Sequence, residues 1–448
     1  MSSAQFMSQV RSHFDVVSRH VLAQLSASEA VTLNLSAEDT LYVRFNNNRV
    51  RQNTDVQQAT LGMQLQSNRR TVEQACTLTL DVATDCVTLS RLLASCRDEV
   101  GLLDADPHQV PVTNHGQSQE QFLGELLPAQ ALIAAILDAA SGSDMAGLYA
   151  GGVIIRANCN SAGQQHWFAT ESFFLNYSLY DGPKAAKGCY AGTRWDTAQW
   201  ANHLARTRTL LEQLCRPVVN VQPGQYRTYL APAAFADVLG MLGWNAMSAA
   251  AWKQGRSPFK KLVEREAQLS PLLSFGENFD LALSPRFNSL GEVCEARLPL
   301  MQSGVLTQLL VNSRTASEYA LQGNAAEEGE APRALDVACG SLAEADVLKT
   351  LGTGLYLSNV HYLNWSDPVS ARITGMTRYA CFWVEHGEIV GPINDLRWDE
   401  SLYDALGAKL LALTDWAEID PASETYYMRS LGGSRVPGAL IDGWTFTL

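Results

Sequence analysis

The sequence has no apolar run that approaches the roughly 20 residues needed to span a bilayer. Its first residues also lack the charged-then-apolar layout of a secretory signal, because Arg11, His13 and Asp15 interrupt them. We therefore expect a protein that neither spans a membrane nor is exported.

Paired cysteines are missing as well. The nine cysteines are scattered along 448 residues, and no two of them form a CxxC pair. An odd, dispersed set in a long chain is typical of reduced thiols, many of them small core residues. This usage favours a reducing compartment, so we expect a cytoplasmic protein.

Basic charge is scarce. The formal net charge is −13, and the basic runs do not exceed pairs such as Arg69-Arg70 and Lys260-Lys261. Nucleic-acid binding depends on neutralising phosphates with Lys and Arg. The composition therefore argues against a nucleic-acid partner.

A catalytic metal motif is also absent from the sequence. Zinc hydrolases commonly place two histidines on one face of a helix, with a carboxylate that activates water. The eight histidines form neither HExxH nor HExxxH. We therefore predict no metal ion and no other cofactor.

The patterns that are present divide the chain in two. Amphipathic helical stripes alternate with strand-like segments up to the proline-flanked stretch 216–224 (RPVVNVQPG), which marks a boundary. Beyond it, hairpins are predicted around Ser303-Gly304 and His386-Gly387. The sequence predicts an α+β protein with two domains. Residues 1–216 form a mixed α/β layer domain, and residues 225–448 form a strand-rich domain with β-hairpins and one long helix at about 232–254.

Two local motifs have competing interpretations. Ser257 and Lys260 match S-x-x-K, a nucleophile motif of some acyl-transfer enzymes, but Pro258 in a basic stretch favours a turn. Glu327, Glu328 and Glu330 form an acidic cluster among Gly and Pro, which is usual for a solvated loop.

Several segments, taken in order, resemble the TldD/PmbA family. They are 41–54 (LYVRFNNNRVRQNT), 226–259 (YRTYLAPAAFADVLGMLGWNAMSAAAWKQGRSPF), 354–398 with its TGMTR stretch, and 436–448 (VPGALIDGWTFTL). The family comprises cytoplasmic proteins once described as modulators of DNA gyrase and now seen as peptidase components. The resemblance covers most of the chain from about Ser36 onward.

The resemblance implies the zinc-less branch of that family, which is similar to PmbA (TldE). Members of the zinc-bearing branch carry HExxxH on the long helix, and this sequence places Gly240, Met241 and Asn245 at those positions. Gly and Met are poor zinc ligands, and Met cannot act as a general base. The implied role is a non-catalytic subunit that handles unfolded or extended peptides and pairs with a zinc-bearing TldD-like paralogue. When isolated, the chain is expected to form a homodimer.

Within that hypothesis, six polar residues are candidates for peptide binding: Arg256, Ser257, Asn324, Thr374, Thr377 and Arg378. The alternative, favoured for each residue taken alone, is that it caps a turn or satisfies backbone groups. Two other functions stay open from the sequence. One is an autonomous non-metal hydrolase with Ser257 and Lys260 as its pair, and the other is a regulatory or structural interaction protein.

Overall fold

Two large β-sheets organise the protein, whose computed structural model describes residues 2–448. Helices cover the first sheet, and the second sheet is richer in strands. The predicted two-domain α+β class is confirmed. No helix within residues 2–448 combines the length and apolarity that crossing a bilayer requires.

The first sheet has seven strands in the order β3-β2-β1-β5-β6-β4, and β7 also pairs with β6. All pairings are antiparallel except β4 with β6. The strands are β1 Glu29–Asn46, β2 Arg49–Ser67, β3 Arg70–Leu78, β4 Gln117–Phe122, β5 Asp144–Asn160, β6 Gln165–Asp181 and β7 Lys184–Gly192. Its helices are α1 Ser3–Leu22, α2 Val82–Val100, α3 Ala129–Ala139 and α4 Thr197–Leu214.

Turn and cap chemistry explains where these elements begin and end. Asn47 and Asn48 both have φ of 49°, the left-handed region that a tight hairpin turn needs and that asparagine tolerates. Asp196 accepts bonds from the N–H groups of Ala198 and Gln199 and so caps α4, as its sequence position predicts.

The first sheet has one face toward helices and one toward the second half of the chain. Alternate residues of β5, such as Tyr149 and Ile155, are buried in the two helix-covered cores. On the opposite face, Asn34 and Asn158 donate hydrogen bonds to the carbonyl of Ser289. The two sheets are therefore in direct contact.

The second sheet closes on itself. Its order is β11-β10-β9-β12-β18-β16-β14-β13-β8, and β8 pairs again with β18, which makes a barrel of β8, β13, β14, β16 and β18. The strands are β8 Gly224–Leu230, β9 Phe275–Asn278, β10 Arg297–Gln302, β11 Val305–Leu306, β12 Ala334–Val337, β13 Gly354–Asp367, β14 Arg372–Glu385, β15 Glu388–Pro392, β16 Arg397–Ser401, β17 Leu410–Pro421 and β18 Gly433–Phe446. Both predicted hairpins are present, as β10–β11 and β14–β15.

The predicted long helix at 232–254 is wrong. The chain instead forms α5 Pro232–Gly240, a 3₁₀ turn Met241–Gly243 and, after a loop, α6 Ala249–Lys253. The break follows from Gly240 and Gly243, which weaken a helix, and from Asn245, whose φ of 71° is left-handed. Ser248 then starts α6 by accepting the N–H of Ala251. The remaining helices are α7 Lys260–Val263, α8 Ser313–Tyr319, α9 Val347–Leu351 and α10 Leu402–Ala405.

The acidic cluster at 327–330 is only partly a solvated loop. Glu328 is exposed, but Glu330 is 1% exposed. Its carboxylate accepts bonds from the Ser248 hydroxyl at 2.6 Å and from the backbone N–H groups of Ala250 and Asn312 at 2.8 and 2.9 Å. One buried side chain therefore satisfies groups at the starts of both α6 and α8.

Candidate functional site

A cleft of about 380 Å³ separates the two halves of the molecule. From the first half, β6, β7 and α4 border it, and from the second half β13, β17 and the start of α5 do so. Its apolar lining includes aromatic and aliphatic side chains: Tyr177, Tyr229, Val347, Leu348, Tyr356, Ile389 and Trp416. A concave site that combines such a lining with a few polar groups is the usual form of a ligand pocket.

Two strand edges meet the cleft. β7 pairs with β6 on one side only, and the 416–421 segment of β17 pairs with β18 on one side only, among the strands of residues 2–448. Lys187, Gly188 and Cys189 of β7 line the cleft opposite Glu418 and Asp420 of β17. Unpaired backbone N–H and C=O groups of this kind can accept an extended peptide as an additional strand.

Three carboxyl groups line the cleft, on Glu344 and on Glu418 and Asp420 of β17. Burial raises the pKa of Glu418 to about 7 and also raises that of Asp420.

Arg206 balances part of this negative charge. Its guanidinium binds Glu344 at 2.9 Å and approaches Glu418 at 3.7 Å, over the ring of Trp416. Burial and Arg206 together lower the pKa of His203, so this imidazole is neutral near pH 7. Asp420 has no ion pair within 4.0 Å in the described part of the chain.

A buried amide completes the polar lining. Asn359 on β13 is 7% exposed, and its side-chain oxygen accepts the hydroxyl of Ser358 at 3.0 Å. Both residues line the cleft. The amide nitrogen of Asn359 has no acceptor among residues 2–448 and is available to a ligand.

The three positions that the family resemblance assigns to the zinc motif do not fit a zinc ion. Gly240 has no side chain, Met241 is 2% exposed within the apolar core, and Asn245 lies beyond the end of α5 in a left-handed conformation. Within residues 2–448, no group of three or more His, Cys, Asp or Glu side chains is arranged to hold a metal ion.

None of the six predicted peptide-binding residues lines the cleft within the part of the chain described. On β14, the hydroxyl of Thr374 donates to the carbonyl of Trp398, and that of Thr377 accepts the N–H of Leu396. Arg378 lies on the same strand, where its guanidinium is 2.7 Å from the Nδ1 atom of His361. These contacts match the alternative in which the residues stabilise the fold locally.

The other three predicted residues, Arg256, Ser257 and Asn324, also lie outside the cleft. The guanidinium of the exposed Arg256 donates only to the side chain of Gln254 among residues 2–448. Asn324 accepts the N–H of Val311 and donates to the carbonyl of Leu309, which fixes a loop.

Ser257 makes turn contacts rather than contacts with a base. Its hydroxyl donates to the carbonyl of Ala246 and accepts the N–H of Phe259. The exposed amine of Lys260 lies 3.8 Å from Glu264. This geometry favours the turn interpretation over the S-x-x-K nucleophile.

Sequence reasoning missed the carboxylates of the cleft, although one signal was present. Glu418 and Asp420 are two residues apart on a strand, so they share a face. What the sequence lacks is the approach of β17 to β7 and α4, which only the tertiary fold creates.

Solved structures with the same fold include TldE from Thermococcus kodakarensis, at a TM-score of 0.74 and 11% identity, which covers 98% of this chain and 100% of the other. A putative modulator of a DNA gyrase from Thermotoga maritima has a TM-score of 0.74 and 15% sequence identity, and the match covers 99% of this chain and 100% of the other. A putative modulator of DNA gyrase from Bacteroides thetaiotaomicron has a TM-score of 0.73 and 14% sequence identity, and the match covers 98% of each chain. No functionally curated protein matches the chain significantly.

The sequence match is more specific than these structural ones. Residues 223–448 match the PmbA/TldA metallopeptidase C-terminal domain, which is half of the chain. This range contains the barrel, α5 and the second wall of the cleft. The protein is a member of the TldD/PmbA family.

Proposed function

We propose that this protein is a non-catalytic, peptide-handling component of a cytoplasmic proteolytic or peptide-maturing system. It works with a zinc-bearing TldD-like paralogue that supplies the metal and the hydrolytic step. The observation that carries the proposal lies at α5: the helix borders a cleft suited to a ligand, but Gly240, Met241 and Asn245, at its end and just after it, do not fit a zinc ion. Without the paralogue, we expect the chain to form a homodimer.

The cleft supports an extended peptide as the ligand. Its two strand edges, β7 and the 416–421 segment of β17, offer backbone groups that bind any sequence. Its mixed lining suits side chains of different kinds. This combination favours general handling of unfolded peptides over recognition of one sequence.

The test is peptide cleavage by the purified chain, by a zinc-bearing paralogue and by their mixture, with zinc content measured on the same samples. We expect no stoichiometric zinc and no cleavage from this chain alone, and more cleavage from the mixture than from the paralogue. Chelator-sensitive cleavage by this chain alone would overturn the proposal. So would a mixture that cleaves no faster than the paralogue.

A bulky substitution in the cleft makes the test specific. Ala233 lines the cleft at the start of α5 and is half-buried. Ala233→Trp should remove most of the gain in cleavage by blocking the cleft. Ala205→Trp, on the exposed face of α4, is the matched control and should leave the gain unchanged.

A further inference from the structure

The long hairpin of β1 and β2 has a free edge, formed by residues 49–58 of β2. Strand β3 pairs with β2 only from Ala59 onward, so residues 49–58 pair with β1 alone. Beyond that pairing, their backbone makes no other backbone–backbone hydrogen bond within residues 2–448. At about 3.4 Å per residue, the free edge is about 30 Å long. Unpaired backbone groups along a strand edge are a template for pairing with another strand.

Both faces of the free edge are open to solvent. Every residue from Arg49 to Asp55 is exposed, whereas the rest of β2, from Ala59 to Ser67, is buried or half-buried. A two-stranded ribbon without a covered face is marginally stable in water. A strand added to the free edge would therefore stabilise this part of the hairpin.

The sequence of the free edge is complementary to itself. In an antiparallel pairing of two copies centred on Asn53, Arg51 of each copy lies opposite Asp55 of the other. The same register places Val50 opposite Val56, and a shift by one residue would place Val50 opposite Asp55 instead. Neither Arg51 nor Asp55 forms an ion pair within residues 2–448, so both charges are available to a second copy.

Charged side chains on a strand edge ordinarily keep other chains away. On this edge, a second copy of the chain meets each charge with one of opposite sign, at two positions related by symmetry. An unrelated strand would leave the same charges unpaired. The charge pattern therefore selects another copy of this chain as the partner.

Exposed aromatic rings lie beside the free edge. Tyr426 is 84% exposed and Tyr427 is 98% exposed. Tyr427 borders the same surface depression as Gln52 and Thr54 of β2, and the side chain of Gln58 donates to its backbone carbonyl. Tyrosine is enriched at protein–protein interfaces, so this surface is suited to contact with a second subunit.

We propose that two copies of this chain associate by antiparallel pairing of residues 49–57 of β2 about a twofold axis at Asn53. The pairing joins the two seven-stranded sheets into one continuous sheet, and Arg51 of each copy binds Asp55 of the other. This assigns a surface to the homodimer that the proposed function expects, and it does not depend on a ligand in the cleft.

Sedimentation equilibrium of the full chain and its variants measures the dissociation constant of the dimer. Arg51→Asp and Asp55→Arg each place like charges opposite each other twice, so each should weaken dimerisation about tenfold or more. Both side chains are exposed, so both variants should keep the fold. An equimolar mixture of the two variants should recover a dimer as tight as the parent's, because opposite charges then face each other again. Arg91→Asp, at an exposed position on α2, is the matched control and should leave the dissociation constant unchanged.

The position of the axis has its own test. Residues directly opposite each other in an antiparallel pair have Cα atoms about 4.5–5.5 Å apart, a separation that a disulfide can bridge. Asn53→Cys should therefore give a disulfide-linked dimer under mild oxidation, beyond any that the parent's own cysteines form. Arg91→Cys is the control and should give no such increase.

The outcomes separate this inference from peptide handling, which cleavage with the paralogue tests independently. A parent protein that is monomeric overturns the inference, including the case in which the free edge pairs with a strand of the paralogue instead. A dimer that charge reversal leaves unchanged uses another surface and also overturns it. If the single variants weaken the dimer but their mixture does not recover it, the two charges do not face each other and the proposed pairing is wrong.

Discussion

The backbone N–H of Arg429 donates a hydrogen bond of 3.1 Å to the carboxylate of Glu38, which joins the loop before β18 to the first strand of the other sheet. Arg429 is 2% exposed and Glu38 is fully buried. The guanidinium also donates to the carbonyls of Ala150, Gly152 and Ser172. A single side chain from the second half of the chain thus satisfies three backbone carbonyls in the first.

Arg429→Ala should lower the free energy of unfolding by about 2–4 kcal/mol, because it leaves these buried carbonyls without donors. Arg297→Ala removes an exposed ion pair with Asp280 and should cost less than about 1 kcal/mol. Urea unfolding of both variants and the parent protein measures the difference. Equal losses for the two variants would contradict the role assigned to Arg429.

Glu330→Ala should destabilise the protein by about 2–4 kcal/mol, since its carboxylate satisfies groups at the starts of α6 and α8. Glu328→Ala, two residues away and exposed, should be close to neutral. Thermal unfolding of the pair distinguishes a buried cap from a solvated acidic loop. If the two variants melt together, the cap has no energetic importance.

Met241→Glu should destabilise the fold by about 3 kcal/mol or more, because it places an unpaired charge in an apolar core. Gly240→His should be tolerated, since a Cβ at that position meets no atom within 4 Å. Chemical denaturation of the two single variants gives the comparison. A stable Met241→Glu protein would show that this segment can readily return to a zinc-motif arrangement.

Glu418→Gln should stabilise the protein more at pH 8 than at pH 5. Burial raises the pKa of Glu418 to about 7, above the roughly 4.3 of an exposed glutamate. The protonated carboxyl therefore contributes stability that is complete below about pH 4 and is lost as the pH rises through about 7. We expect the difference in Tm between the variant and the parent to be larger at pH 8 than at pH 5, measured by thermal unfolding. An equal difference at both pH values would argue against a raised pKa.

The sequence predicts the parts of this fold that depend on local chemistry. The Ser303-Gly304 and His386-Gly387 hairpins are both present because neighbouring residues determine them. The prediction of one helix at 232–254 is wrong because the apolar pattern continues through the segment, whereas Gly240, Gly243 and Asn245 interrupt the helix itself. β7 was not predicted, since KAAKGCYAG has weak strand propensity and becomes a strand by pairing with β6.

The candidate site was harder to predict than the fold. Lys187, Asn359 and Asp420 come from three separate strands, and nothing local brings them together. The predicted residues Thr374, Thr377 and Asn324 lie in segments that resemble the family, yet their side chains bond to backbone groups nearby. The resemblance was enough to identify the family. The position of the cleft could not be predicted in this way, because the cleft forms only where the first half of the chain packs on the second.

The position of β18 has a consequence for how the protein matures during synthesis. The strands of the first sheet are all complete by residue 192, so that sheet can form while the rest of the chain is still being translated. The barrel cannot close before residues 433–446 emerge, because β18 pairs with β8, β12, β16 and β17. Until then β8 and β16 each have an unpaired edge. Nascent chains stalled before β18 should therefore be bound by chaperones or degraded, even though their first half is already folded.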